Sequence, residues 1–245
     1  MFNLSQLNIL VTGASRGLGL ATANGLSSLG ANVIGVGRSE RPKELDEPIK
    51  YYAADLNSTS DLNDLADFVG REFKFLNSLV NIAGISIPPS TEEEELTRFQ
   101  NTVKNDLVLP FAVISKFLPL FSTNQKSTIV NFSSINATLG FPGNPGYVAS
   151  KAGLSGLTRG LAVDLASKGI RVNSISPGYF PTSMTTQSFN DESMHSERAN
   201  RTVLKRWGVP SELVGPVAFL CSDASSYITG HDLPVDGGWL IQGLK

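Results

Sequence analysis

The chain has 245 residues, 41% hydrophobic and 17% charged, enough apolar mass for a sizeable globular core. A formal net charge of −2 gives no global electrostatic case for nucleic acid as a partner. Cys221 is the only cysteine and His195 and His231 the only histidines, which excludes an internal disulfide and a multi-cysteine or histidine-rich metal site.

At the N-terminus no positive charge precedes the first apolar run, Arg16 being the first basic side chain. No apolar stretch approaches the roughly 18 residues that a membrane span needs. A cytoplasmic protein without a membrane partner is expected. Residues 7–11 read as a short strand that breaks at Gly13, and residues 17–29 carry helical spacing. Residues 32–36 form a second strand, followed by a polar, proline-containing connection through Pro48. Residues 50–54 and 78–82 are further strand candidates, with a helix over about residues 60–73 between them. Thr91 followed by Glu94 is a capping box that predicts a helix start. The acidic residues 92–95 then favour the positive end of that helix dipole rather than a bound cation. Residues 128–132 are β-branched and apolar, as a buried strand should be. Residues 145–168 read as a helix, 171–176 as a strand and 210–221 as a last helix. Strands alternating with helices, with no long linker, predict one doubly wound α/β domain with a parallel sheet covered on both faces.

The run Thr12-Gly13-Ala14-Ser15-Arg16-Gly17-Leu18-Gly19 lies where the first strand hands over to the first helix. Glycines let backbone approach a pyrophosphate, and free N–H groups at a helix N-terminus bind its charge. The second strand ends in Gly37-Arg38-Ser39, where a carboxylate would favour the ribose 2′-hydroxyl of NAD. Arg38, with Arg16, instead suits a 2′-phosphate gripped by forked, charge-assisted hydrogen bonds. NADP(H) is therefore favoured, with NAD(H) the alternative. Tyr147 and Lys151 are four apart on one helix face. An ammonium about 5 Å from a phenol, at an effective dielectric near 20, favours the phenolate by about 3 kcal/mol. That moves a tyrosine towards the working range of a general acid/base. Ser134 follows a strand, where ligands sit in open α/β sheets, and its hydroxyl is placed to hold a substrate oxygen.

Over nearly its whole length the chain resembles the short-chain dehydrogenase/reductase family. The TGxxxGxG loop from Thr12 to Gly19, Asn81-Ile82-Ala83-Gly84, Ser134, and Tyr147-xxx-Lys151 occur in that family's order. Asn105, Asp55, and Pro177-Gly178 with Thr182 match further positions. The resemblance implies a single Rossmann-type domain with a mostly seven-stranded parallel sheet. It implies Tyr147 as acid/base, Lys151 as its tuner and a partner of the nicotinamide ribose, and Ser134 as the group orienting the carbonyl. Asn105 would hold a water linking Lys151 to solvent. Asp55 would contact adenine, Asn81 and Gly84 would line the adenine-ribose side, and Thr182 would meet the carboxamide. Gly13, Ser15, Arg16, Gly17, Leu18, Gly19, Arg38, Leu56, Ala83, Pro177 and Gly178 complete the expected cofactor wall. The stretch 39–50 departs from the family, being too short and proline-broken for the usual helix.

Two secondary signals remain. Gly153, Gly156 and Gly160 form a stripe on the Tyr147 helix, read as a contact between subunits of a homodimer or homotetramer. The long polar stretch 180–207 reads as a lid over the substrate. The motifs fit reduction of a ketone such as a 3-oxoacyl thioester, with Arg98, Lys104 and Arg159 facing an acyl carrier protein as a possible partner. They fit a sugar-acid or polyol dehydrogenase equally well, and the polar lid leans towards a hydroxylated substrate. A non-catalytic nucleotide-binding regulator is disfavoured because Asn105, Ser134, Tyr147 and Lys151 are all present. A nucleotide-sugar epimerase would need a different glycine spacing and a larger C-terminal region.

Overall fold

The computed structural model describes residues 4–86, 94–122 and 127–243. Seven parallel strands form one sheet in the order β3-β2-β1-β4-β5-β6-β7. They are β1 (Asn8–Thr12), β2 (Asn32–Gly37), β3 (Lys50–Ala53), β4 (Ser78–Asn81), β5 (Ser127–Phe132), β6 (Ile170–Pro177) and β7 (Asp232–Val235). The first six lie within a residue or two of the expected spans. The central ones are buried along their whole length because both of their faces are covered.

Alternation along the strands divides the core in two. Leu10, Ile34, Leu79 and Ile129 point to one side, where they meet α2 (Thr59–Phe73), α4 (Leu109–Phe117) and α5 (Pro145–Leu165). Ile9, Val11, Val80 and Val130 point to the other, against α1 (Gly17–Ser28) and α8 (Val214–Cys221). Close approach on that second face depends on Gly25 of α1, where an added Cβ would stand 2.3 Å from Val214. The chain builds β1, β2 and β3 outward one way, then crosses back to place β4 on the other side of β1. The reversal opens a crevice beyond the C-terminal ends of β1 and β4.

Several elements differ from expectation in instructive ways. Thr91 of the expected capping box lies outside the described residues; α3 spans Glu95–Val103. It continues into α4 through a wide π turn, Lys104–Val108. There the Leu109 N–H bonds the Lys104 carbonyl five residues back, and Pro110 has no N–H to give the carbonyl of Asn105. Helix α5 tightens to a 3₁₀ turn at Ala166–Lys168 and stops at Gly169, whose φ of 72° is left-handed. The final helix begins as a 3₁₀ turn at Pro210–Leu213 before α8. The stretch 180–207 holds two helices, α6 (Thr186–Asn190) and α7 (Glu192–Arg201). Residues 39–49 contain no helix; the Arg41 guanidinium binds the carbonyls of Leu45, Asp46 and Ile49 and gathers that connection into a compact loop.

Candidate active site

A cleft of about 660 Å³ opens at the C-terminal ends of β1, β4, β5 and β6. Its floor is the loop between β1 and α1. Thr12 Oγ1 accepts from the N–H groups of Ile82 and Ala83, at 3.0 and 3.1 Å, and ties the ends of β1 and β4 together. Gly13 has φ 72°, and a Cβ there would meet the Ala83 nitrogen at 3.0 Å. A Cβ on Gly19 would sit 2.0 Å from the Gly13 carbonyl oxygen, so the loop folds onto the helix only with glycine there. Helix α1 begins after Arg16 with no side-chain cap. Its first N–H groups are thus left for another acceptor.

Gly13, Ser15, Arg16, Gly17, Leu18 and Gly19 line this end of the cleft, and Arg38, Asp55 and Leu56 its far wall. Arg16 and Arg38 are exposed, and among the described residues neither is in an ion pair. An uncapped helix start, a cradle that excludes Cβ atoms and two spare guanidinium groups fit a dinucleotide with an added phosphate. Ala83 and Gly84, then Pro177, Gly178 and Thr182, continue the wall towards the substrate end.

At that end Ser134 caps a short 3₁₀ turn, its Oγ accepting from the Asn136 N–H at 3.1 Å. Ser176 Oγ lies within hydrogen-bond reach of the Ser134 carbonyl at 3.1 Å and of both Asp232 carboxylate oxygens at 2.9 Å, with one proton to give among them. Strands β5, β6 and β7 therefore clamp the Ser134 backbone. Asn144 caps α5 by accepting from the Tyr147 N–H at 3.2 Å, which fixes the first turn that carries Tyr147. One turn on, Lys151 is buried, with Nζ 5.5 Å from the centre of the Tyr147 ring and donating to the Phe132 carbonyl at 3.1 Å. Ser134, Tyr147, Lys151 and Asn105 all line the one cleft.

Residues 13–240 match the protein family described as enoyl-(acyl carrier protein) reductase. A 5-keto-D-gluconate 5-reductase of Escherichia coli K12 is 34% identical over 254 residues, covering 98% of each chain. A 3-oxoacyl-[acyl-carrier-protein] reductase of Rickettsia bellii is 36% identical over 244 residues, covering 98% of this chain and all of that one. The chain belongs to the short-chain dehydrogenase/reductase family. Among solved structures, a gluconate 5-dehydrogenase from Burkholderia cenocepacia, in complex with NADP and tartrate, superposes with a TM-score of 0.90 at 27% identity, covering 99% of this chain and 98% of that one. The chain is thus an NAD(P)-dependent oxidoreductase acting between a ketone and a secondary alcohol.

One short-chain dehydrogenase position sits differently from its expected place. Asn81 does not line the cleft. It is buried, and its amide donates to Asn131 Oδ1 at 3.1 Å while Asn131 donates to Thr158 on α5. Asn81 therefore links two strands and a helix behind the cofactor wall. The Asn105 amide is also engaged, donating to the Asn101 carbonyl at 2.8 Å and accepting from Asn57 at 3.0 Å.

Sequence reasoning missed Asp106. It is fully buried beside Gly84, with Oδ1 accepting from the Ile85 N–H at 2.8 Å and Oδ2 4.0 Å from Lys151 Nζ. Burial pushes its carboxyl above the usual range, with Lys151 and the Ile85 N–H pulling it back. The available signal was an acid directly before the apolar run 107–109 that leads into α4. Cys221 plays no part here: burial holds its thiol protonated, up to about 11.

The two helices of residues 180–207 reach over the substrate end. Met184, Thr185, Ser188 and Arg198 line it, together with Phe141 and Tyr179. Thr185 Oγ1 accepts from the Thr182 N–H at 2.9 Å and so shapes the turn that places Thr182 above Gly17. Trp207 stacks on His195 and donates to its carbonyl at 3.1 Å, gathering α7 against the body. Gly208 donates to the Tyr179 carbonyl at 2.9 Å, so the two ends of the segment are pinned to each other.

Proposed function

We propose that the enzyme interconverts a keto sugar acid and its hydroxy form, using NADP(H). The observation that carries the substrate class is Arg198. Its guanidinium lies 5.1 Å from the Tyr179 ring centre and lines the cleft, with Nη1 on the Met194 carbonyl. Its Nε has no hydrogen-bond partner among the described residues. A guanidinium lining the cleft beside hydroxyl side chains is matched by a carboxylate on a hydroxylated carbon chain. The Escherichia coli relative is named for a keto sugar acid, and the Burkholderia structure holds a hydroxylated dicarboxylate. Arg16 and Arg38 support NADP(H) as the cofactor.

Bound nicotinamide supplies the hydride in the reducing direction. Tyr147 donates its phenolic proton to the carbonyl oxygen as that oxygen gains charge. Ser134 Oγ accepts from Asn136, which leaves its own hydrogen to donate to the same oxygen. Lys151 stabilises the phenolate left behind, and a water on the Asn105 carbonyl returns the proton. We further propose that residues 180–207 act as a lid hinged at Tyr179 and Gly208. Gly160, which faces open space, and Gly156, where a Cβ would meet Arg159 Nη2 at 3.8 Å, together with exposed Val108, Phe111 and Val163, would form a contact with a second copy. Gly153 is different, since a Cβ there would meet Leu107 of the same chain at 2.8 Å. In this reading the enzyme works in the cytoplasm, where its lone thiol stays reduced.

A substrate panel of keto sugar acids, neutral keto sugars and acetoacetyl thioesters tests the assignment. Arg198→Met is expected to raise KM for the acids about tenfold or more and leave neutral ketones unchanged. Proteolysis within residues 180–207 should slow when cofactor and acid are both present. Preferred turnover of the thioester, unaffected by Arg198→Met, would move the substrate to an acyl carrier. In light scattering at micromolar concentration the protein should run as a dimer or tetramer; a monomer refutes the helix contact.

A further inference from the structure

We propose that Asp106 is a positioning residue for Lys151, a second anchor of its ammonium that also sets the net charge Tyr147 meets. The inference rests on Tyr147 and Lys151 being the proton-handling pair. The π turn Lys104–Val108 turns Asp106 fully inward while Lys104 and Val108 remain exposed. Its Oδ1 is taken by the Ile85 N–H. Among the described residues its Oδ2 has no hydrogen-bond partner, and it faces Lys151 Nζ at 4.0 Å. Lys151 Nζ has three protons to donate, and Phe132 accepts one of them at 3.1 Å. Burying a carboxyl with an idle oxygen is costly unless a cation answers it.

Gly84 makes room for the pair: a Cβ there would be 3.0 Å from Asp106 Oδ1 and 3.5 Å from Lys151 Nζ. Around Asp106 the wall before α3 offers backbone, through Gly84 and Ile85, and α5 offers Lys151. Tyr147, one turn before Lys151, has its ring centre 5.5 Å from that ammonium. A negative charge 4.0 Å from Nζ cancels part of the field by which the ammonium favours the phenolate. Removing it leaves the ammonium unopposed, so the phenolate persists to lower pH.

The test is the pH profile of kcat for alcohol oxidation at saturating cofactor. In Asp106→Asn, which keeps an acceptor for the Ile85 N–H, the midpoint should fall by about one pH unit. The dissociation constant for NADP should stay within about twofold, and Asp106→Glu should return the midpoint towards the original. A midpoint that does not move, whatever happens to thermal stability or to kcat at its plateau, overturns the proposal. If Asp106→Asn does not fold, Asp106→Ser removes the same charge and carries the same two outcomes. Full turnover in Tyr147→Phe would sink the underlying reading instead. An inactive Tyr147→Phe beside an unmoved midpoint sinks the role of Asp106 alone.

Discussion

Tyr147→Phe is expected to lower kcat by about 10²- to 10⁴-fold in either direction, the range a general acid/base contributes. The substitution removes one oxygen and little else. The Tyr147 backbone stays capped by Asn144, and the ring keeps its place beside Lys151. Thermal stability should barely change. Calorimetric binding of NADPH should stay within a few-fold, because the glycine cradle and the arginine wall lie at the other end of the cleft. With uniform binding intact, the loss belongs in kcat rather than KM. Turnover within tenfold of the unmodified enzyme would show that another group moves the proton.

That expectation was open to the sequence because it needs only local geometry. Tyr147 and Lys151 share a helix face by spacing alone. The glycine loop is similar: Gly13 and Gly19 are dictated by backbone contacts within a few residues and with the adjoining strand. The central strands were legible because burial on both faces demands short runs rich in apolar and β-branched residues. β7 was not. It reads Asp-Leu-Pro-Val, and it survives as a strand because it sits at the sheet edge, where Pro234 can be accommodated. Helix α7 has no buried face of its own. It is held by Asp191 at its cap and by the stacking of His195 on Trp207, a contact between residues twelve apart. Asn81 and Asp106 fail for the same reason: their roles depend on partners on other elements, Asn131 and Lys151, that no local pattern reveals.

Cofactor choice gives the other large effect. A 2′-phosphate between Arg16 and Arg38 would gain charge-assisted hydrogen bonds, each worth about 1.5–3 kcal/mol when well formed. Both guanidinium groups are exposed, so screening takes part of that. The double variant Arg16→Gln/Arg38→Asp should therefore bind NADPH about 10- to 100-fold more weakly. NADH should bind as well as before or better, since a carboxylate at position 38 can accept from the ribose 2′-hydroxyl. Salt separates charge from shape: raising ionic strength should weaken NADPH binding to the unmodified enzyme far more than NADH binding, and the difference should vanish in the double variant. Equal losses for the two cofactors would mean that the arginines shape the wall without reading the phosphate. Tighter binding of NADH by the unmodified enzyme would reverse the preference itself. The reading of Tyr147 would survive that result, because the adenine end and the proton-transfer end of the cleft are built from different residues.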